Sequence, residues 1–340
     1  RFEEAQVFES LILNTINPQT NVATTANDIA EVATKVLLEG GSRRGGSPQG
    51  AIFNTRAARI GGFHATSNVA YGMLHDEKVG GTHGHSYVML HPDEYTAFRA
   101  QVDSFRDDVI FLLDTYNVRE AFDTAIGIIK EEGLKHFGFR IDSGDLLEQA
   151  LWLHEELQEA GFGRQDYTLV ASDDLTAAKV NRLEQKGADV DKYLIGTYVV
   201  NPPRPVGGVF KLAAYREEDG WRMKGKLSEN MDKATLPGIK QIYRIQGEDG
   251  YYKKDVIAFE DEDITDHMDK GDTYRPLLAP IIRQGEQVYD FPVVKEISDY
   301  RKQELAKFRD IANYEVIVSE KVMEVQKEIV KEHGVKKYAA

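Results

Sequence analysis

The sequence predicts an α/β protein in which an incomplete, TIM-like parallel barrel of about seven strands precedes a smaller domain. The first observation is a repeated unit, in which a short β-rich run is followed by a polar or glycine turn and an amphipathic helix. The second is the spacing of the predicted strand ends, 24 to 32 residues, which is typical of consecutive βα units. These ends are Thr82, Asp114, Asp142, Ser172 and Gly196. The third is a change after Gly207-Gly208, where two Asp-Gly pairs between β-rich runs predict hairpins of a mixed or antiparallel layer.

The elements before the regular βα units are predicted less sharply. Apolar residues near a 3.6-residue period predict a first helix over residues 2–16, and Thr25–Val36 predicts a second. Weaker strands are predicted near Val36–Glu39 and Gly62–His64, which brings the strand candidates to seven. Because a closed (β/α)₈ barrel requires eight strands, an incomplete barrel and an open doubly wound sheet both remain open.

We expect three regions along the chain. Residues 17–208 form the barrel domain, residues 1–16 and 209–294 contribute to the second α/β domain, and residues 295–340 form a charged helical extension. The chain opens at Arg1 inside a helical pattern, with no cap or signal sequence before it. We therefore expect a chain that lacks an upstream segment, with a processed start as the alternative.

Composition narrows the classes of function. The net charge of -14 disfavours proteins that bind nucleic acid or an anionic membrane surface. No apolar run reaches the roughly 20 residues of a membrane helix. The chain has no cysteine, which excludes disulfides, thiolate nucleophiles and cysteine zinc sites. We expect a cytoplasmic protein that acts on small molecules.

Polar residues concentrate at the predicted C-terminal ends of the parallel strands, the edge at which ligands bind in such folds. Each of them alone has a structural explanation, because Ser and Asp also cap helices and offset helix dipoles. The whole set, with its basic residues, favours one common site. Its members are Arg43, Arg44, Thr82, His83, His85, Asp114, Arg140, Asp142, Ser143, Asp145, Ser172, Asp173, Gly196 and Thr197.

The segment RIDSGDL, which begins at Arg140, indicates the chemistry of that site. Arg140 and Asp142 are two apart on a strand and so point to the same side. Gly144 allows a close approach of the backbone to a ligand. The backbone amides at the start of the next helix and the planar guanidinium of Arg140 favour binding of phosphate. Asp142 and Asp145 can accept from ribose hydroxyls or hold Mg²⁺ through water. The segment predicts a site for a phosphorylated sugar.

The histidines of GTHGHS, His83 and His85, allow two interpretations. Their spacing suits a metal, but a third ligand is not evident nearby, so zinc is disfavoured. An imidazole there can instead act as acid, base or phosphoryl acceptor. A histidine hydrogen-bonded in a turn is the structural alternative.

An ordered series of motifs resembles the nicotinate phosphoribosyltransferases, which are type II phosphoribosyltransferases. The series is GSRRGGSPQGAIFNTRAARIGGFHATSN, GTHGHSYVM, FLLDTYN, FRIDSGDL, VASDDL, IGTYVVN, GGVFKL and KLSENMDKATLPGIKQIYR. The resemblance implies formation of nicotinate mononucleotide and pyrophosphate from nicotinate and phosphoribosyl pyrophosphate, with Mg²⁺. It also implies a homodimer, and ATP as a co-substrate whose hydrolysis is coupled through a phosphohistidine.

The resemblance also implies roles for individual residues. His85 matches the phosphorylated histidine, Arg140 the arginine near the pyrophosphate, and Asp142 the carboxylate on the ribose hydroxyls. Ser67 stands where nicotinamide-using relatives are similar but carry aspartate, which favours an acid substrate. The remaining substrate- and phosphate-binding candidates are Arg43, Arg44, Thr82, Asp114, Ser143, Gly144, Asp145, Ser172, Asp173, Gly196 and Thr197. Mg²⁺ is expected mainly on the substrate phosphates, with Asp145 as a candidate protein ligand.

Three alternatives remain. A quinolinate phosphoribosyltransferase shares the barrel type but would need more basic residues than Arg43 and Arg44 to bind two carboxylates. A truncated, non-catalytic paralogue that binds nucleotide is favoured by the start at Arg1 and disfavoured by the presence of His85 and Asp142. A generic Mg²⁺-dependent sugar-phosphate barrel enzyme explains the turns but not the ordered motifs.

Overall fold

The computed structural model describes residues 2–202, 206–227 and 234–333. The chain divides into two compact units, residues 1–207 and residues 208–340. The predicted barrel domain, residues 17–208, ends one residue from that division. Of residues 1–16, which we expected in the second domain, the described residues 2–16 belong to a single helix, α1 (Phe2–Ala30), of the first unit.

The first unit alternates strands and helices. Its strands are β1 (Val36–Glu39), β2 (Ala65–Thr66), β3 (Ile110–Leu112), β4 (Phe137–Ile141), β5 (Tyr167–Ala171) and β6 (Lys192–Ile195). Its further helices are α2 (Pro48–Ile60), α3 (Val69–His75), α4 (His85–Leu90), α5 (Glu94–Phe105), α6 (Val118–Glu132), α7 (Leu146–Glu159), α8 (Ala177–Gln185) and α9 (Thr197–Val200). Side chains directly before the first turn cap several helices; Asn117 caps α6 and Thr176 caps α8.

The six strands form one parallel sheet in the order β2-β1-β6-β5-β4-β3. Val79 adds a parallel bridge beside Thr66, so seven chain segments take part. Residues of β1, β2, β3, β5 and β6, together with Val79, line one common cavity, which shows that the sheet curls around a lumen. The predicted fold class, an incomplete parallel α/β barrel with a smaller mixed domain, is thereby confirmed.

Two local predictions in this unit were wrong. The two predicted N-terminal helices are one, since α1 continues through Pro18. Burial of Val22, Ala26 and Ile29 in the core stabilises its second half. The predicted strand before Thr82 is only the bridge at Val79, because the adjacent glycines favour an irregular turn over a ladder.

The second unit contains a four-stranded sheet in the order β11-β9-β10-β14 and two separate hairpins. Its elements are β7 (Ala214–Glu217), β8 (Gly220–Met223), β9 (Lys240–Gln246), β10 (Tyr252–Phe259), β11 (Thr273–Pro276), β12 (Ile282–Arg283), β13 (Glu286–Gln287), α10 (Val294–Leu305), β14 (Glu315–Val318) and α11 (Glu320–Glu332). Both predicted hairpins, β7–β8 and β9–β10, are present.

The prediction of an entirely helical C-terminal region was wrong at β14, which pairs in parallel with β10. The last residues of that predicted extension, 334–340, lie outside the described residues, as do residues 228–233 of one quoted motif. Among the described helices, none combines the length and the hydropathy that crossing a membrane requires.

Candidate active site

The alternation of β4 decides which of its side chains face the lumen. Phe137, Phe139 and Ile141 are buried in the core cluster shared with the surrounding helices. Arg140 and Asp142 therefore point to the opposite side, as the two-residue period of a strand requires. Nη2 of Arg140 donates to Oδ2 of Asp142 at 2.7 Å, which agrees with the sequence prediction that both face one side.

Arg140 is held by partners from two other segments, in addition to Asp142 in its own segment. Its Nε donates to Oγ of Ser172 at 2.7 Å, and its Nη1 donates to Oγ1 of Thr82 at 2.8 Å and to the His83 carbonyl at 3.2 Å. The side chain is only 12% exposed. A guanidinium whose N–H groups donate to several partners keeps one orientation. The positive charge of Arg140 is therefore fixed in place near the C-terminal end of β4.

His85 and Asp114 form a pair beside Arg140. Nε2 of His85 lies 3.0 Å from Oδ1 of Asp114, and the hydroxyl of Ser143 donates to Oδ2 of the same carboxylate at 2.6 Å. The Asp114 side chain is 5% exposed and that of His85 is 39% exposed. A carboxylate bound at both oxygens therefore orients a ring that remains accessible to a ligand.

These groups also present a potential cation site. One ligand atom each from His85, Asp114 and Asp142 lies within 4.8 Å of the other two. Carboxylate oxygens are the ligands that Mg²⁺ accepts, so Asp114 and Asp142 fit this ion. Asp145, the candidate from sequence, lies outside this group and caps α7 by accepting from the Leu147 and Glu148 amides at 3.0 and 3.2 Å.

His83 has a different environment from His85. Both ring nitrogens are buried and have no hydrogen-bond partner among the described residues. Burial lowers the pKa of His83 to about 4, and the nearby Arg140 and His85 add to this effect. The neutral ring packs 5.3 Å from the ring of Tyr87. Only His85 of the two histidines reaches a carboxylate.

Glu39 is a positioning residue that the sequence interpretation missed. It is fully buried at the end of β1 and accepts hydrogen bonds from the hydroxyls of Thr55 and Thr66 at 2.9 and 2.6 Å and from the Gly41 amide. Its own carbonyl accepts from the Ser67 amide at 2.8 Å. One side chain thus joins the loops after β1 and β2. An acidic residue ending the apolar run VLLE was the available signal.

Glycines allow the loops after β1 and β6 to approach closely. The Gly40 amide donates to the Ile195 carbonyl at 2.8 Å, and a Cβ on Gly196 would lie 3.1 Å from the Gly40 carbonyl oxygen. Thr197 begins α9 directly after this contact. After β4, Gly144 has φ +76° and allows the Gln149 side chain to bond the Ser143 carbonyl at 2.6 Å.

The remaining predicted residues lie at the same edge of the sheet without joining the Arg140 network. Arg43 and Arg44 are exposed on a short 3₁₀ turn after β1, and their side chains have no partner among the described residues. Ser67 is exposed after β2, and a Cβ on Gly81 would lie 3.5 Å from its Cβ. Asp173 has φ +99° and pairs with Lys179 at 3.3 Å.

Comparison with known proteins identifies relatives of the chain. The chain is 40% identical over 271 residues to nicotinate phosphoribosyltransferase of Bacillus subtilis, covering 77% of this chain and 54% of the relative. It is 30% identical over 320 residues to nicotinate phosphoribosyltransferase 2 of Arabidopsis thaliana, covering 76% and 56%. The chain thus spans about half the length of these relatives. The family model of the nicotinate phosphoribosyltransferase C-terminal domain matches residues 239–326.

The fold is shared with two solved structures. Human nicotinic acid phosphoribosyltransferase superposes with a TM-score of 0.76 at 23% identity, covering 96% of this chain and 77% of the other. Nicotinate-nucleotide pyrophosphorylase from Pyrococcus furiosus gives 0.69 at 24% identity, covering 88% and 73%. The curled parallel sheet with its smaller mixed unit is the type II phosphoribosyltransferase fold. Within this class the chain belongs to the nicotinate phosphoribosyltransferase family.

Proposed function

We propose that the chain carries the reaction site of a nicotinate phosphoribosyltransferase, which forms nicotinate mononucleotide and pyrophosphate from nicotinate and phosphoribosyl pyrophosphate in NAD biosynthesis. The observation that carries this proposal is the fixed Arg140 guanidinium, bound to Thr82, Ser172 and Asp142 beside the His85–Asp114 pair. The names of the relatives support the same reaction.

In the proposed reaction the ring nitrogen of nicotinate attacks C1 of the ribose while the bond from C1 to pyrophosphate breaks and its electron pair leaves with the pyrophosphate. Negative charge then grows on the leaving group. Arg140 does not reorganise to meet it, because its neighbours already hold it, and a preorganised charge lowers the barrier most effectively. Asp142 accepts from ribose hydroxyls and so fixes the sugar for in-line attack. The turns at Ser172-Asp173 and Gly196-Thr197 hold the ribose and the 5′-phosphate.

Mg²⁺ supplies charge neutralisation on the phosphates when it is bound. Asp114 and Asp142 would hold it from the protein side, since their oxygens lie in one group with the His85 ring. Most of its remaining contacts would come from substrate phosphates and water, as is usual for this ion.

ATP is the proposed co-substrate, and His85 the phosphoryl acceptor. Asp114 lies at Nε2 of His85, so the tautomer with hydrogen on Nε2 donates to the carboxylate and leaves a lone pair on Nδ1. In this step Nδ1 attacks the terminal phosphorus of ATP, and ADP departs with the electron pair of the broken P–O bond. Asp114 then offsets the positive charge that develops on the ring.

The base side of the site is assigned to Ser67, Arg43 and Arg44. The two arginines are exposed and free of ion pairs among the described residues, so they can bind the nicotinate carboxylate or nearby phosphate. A neutral Ser67 does not repel a carboxylate as an aspartate would. The acid is therefore the preferred substrate over the amide.

A homodimer in the cytoplasm is the proposed state of the protein. One face of α1 exposes apolar side chains, which favours burial against a second protein surface. These are Val7, Phe8, Leu11, Ile12 and Ile16.

A turnover assay tests the proposal. The chain is supplied with phosphoribosyl pyrophosphate, ATP and Mg²⁺, and with nicotinate, nicotinamide or quinolinate in separate reactions. We expect pyrophosphate release and mononucleotide formation with nicotinate, and at least tenfold less with the other two bases. Release of carbon dioxide from quinolinate would identify the decarboxylating rival, and turnover of nicotinamide alone would contradict the specificity.

A further inference from the structure

The cavity in the lumen of the curled sheet opens at the end opposite the candidate site. Its volume is about 500 Å³, within the range of small-molecule pockets. The residues at its outer end are the ones that open the strands: Asp108 just before β3, His136 just before β4 and Lys192 at the start of β6. The reaction residues described above instead follow the strand ends.

Small lumen side chains leave this space open. The usual parallel barrel fills its lumen with layers of bulky side chains. Here Ala65, Thr168 and Val36 line the cavity from β2, β5 and β1. Val36 is 38% exposed although it lies in an inner strand of the sheet, between β2 and β6. Interiors pack to the density of crystals, so a void of this size departs from the usual packing of a protein interior.

The cavity reaches the reaction site through one shared residue. Thr82 lines the cavity, and its hydroxyl accepts from Nη1 of Arg140 at 2.8 Å. Arg140, Ser172 and Asp142 are not among the residues that line the cavity. A molecule in the lumen would therefore contact Thr82, which helps to position Arg140.

The chemistry of the walls defines the ligand class. Apolar side chains form the body of the cavity, including Leu38, Val79, Ile110, Val170 and Leu194. Lys78 and Lys192 lie at its rim against one carboxylate, that of Asp108, and neither lysine has an ion-pair partner among the described residues. An apolar chamber with unpaired cations at the rim suits a molecule with an apolar body and one anionic group.

We propose that this lumen is a second ligand site, separate from the reaction site, for a small amphiphilic anion whose apolar part enters between the strands and whose charge pairs with Lys192 and Lys78. The proposal concerns binding and does not depend on the reaction that the chain catalyses.

Titration with 1-anilinonaphthalene-8-sulfonate tests it, because this fluorescent probe joins an aromatic body to a single sulfonate. Ala65→Phe and Thr168→Leu place new side-chain atoms in the lumen. Lys192→Glu reverses the charge at the rim, while Lys192→Arg preserves it. Lys130→Glu is the matched control, since Lys130 is exposed on α6 and lies away from the cavity. Far-UV circular dichroism and urea unfolding establish that each variant is folded.

We expect saturable binding whose Kd rises at least tenfold in Ala65→Phe and Thr168→Leu. We expect at least a threefold rise in Lys192→Glu and wild-type values in Lys192→Arg and Lys130→Glu. If Ala65→Phe does not fold, Thr168→Leu and Lys192→Glu decide the question. Equal affinity and stoichiometry in the wild type and all folded lumen variants would overturn the proposal and assign the probe to the protein surface.

Discussion

Nε2 of His85 lies 3.0 Å from Oδ1 of Asp114, and that carboxylate is almost completely buried. Burial makes the contact strong, because few water molecules compete for the carboxylate oxygens. The second oxygen is bound by the Ser143 hydroxyl, so the carboxylate cannot rotate freely. The pair therefore fixes both the orientation and the tautomer of His85.

Phosphorylation should consequently occur on Nδ1 of His85. After treatment with ATP and Mg²⁺, we expect the ³¹P resonance of a phosphoryl group on Nδ1 and loss of all label in His85→Gln. Asp114→Asn should slow labelling at least tenfold, because a neutral amide neither fixes the tautomer nor offsets the ring charge. Asp123→Asn, on the exposed face of α6, serves as control and should label normally. Label on Nε2 or on another residue would contradict the prediction.

Arg140→Lys should abolish most of the proposed transfer. A lysine keeps the charge but cannot donate to Ser172, Thr82 and Asp142 at once. We expect kcat/KM for phosphoribosyl pyrophosphate to fall about 100-fold, or about 2.7 kcal/mol of transition-state stabilisation. Steady-state kinetics measure the change, with Arg106→Lys on the exposed surface as control. A variant with wild-type kcat/KM would show that Arg140 serves only to hold the fold.

The fold and the centre of the site could be predicted because they depend on local rules. Alternation along β4 placed Arg140 and Asp142 on one side, and the turn residues placed them at the ligand-binding end of the strand. The same reasoning could not rank His83 and His85. The contact that distinguishes them is with Asp114, which lies 29 residues after His85 and follows β3, so its position depends on the tertiary fold.

Long-range pairing explains the other errors. The run EVIV is short and lies between charged helices, so nothing local indicates that it joins β10 as β14. In the sequence, Glu39 resembles the polar residue that commonly ends a strand. Its burial becomes evident only when Thr55 of α2 and Thr66 of β2 converge on it.

Replacement of Glu39 should separate its packing role from its hydrogen bonds. Glu39→Ala removes the acceptor for two buried hydroxyls and the Gly41 amide, and it leaves a cavity. We expect the free energy of unfolding to fall by about 3 to 5 kcal/mol. Glu39→Gln preserves volume and one acceptor, so its loss should be about 1 kcal/mol.

Urea unfolding followed by circular dichroism measures both Glu39 variants. Exposed Glu31→Ala is the control and should change the free energy of unfolding by less than about 0.5 kcal/mol. Equal losses for Glu39→Ala and Glu39→Gln would show that the charge of the carboxylate, and not the filled space, stabilises this corner.

His83 should make the first unit less stable in mild acid. The folded protein lowers the pKa of His83 to about 4, whereas an unfolded histidine titrates near 6.5. Between these values the unfolded chain binds a proton that the folded chain does not, so stability falls as pH decreases from about 6.5 to 4 and is unaffected above that window. At about 1.4 kcal/mol per pKa unit, the loss can reach about 3 kcal/mol.

Thermal unfolding across this pH range should show a smaller loss of stability in acid for His83→Gln than for the wild type. The exposed His136→Gln should follow the wild type, and a His83→Gln profile parallel to the wild type would mean that His83 is protonated in the folded protein.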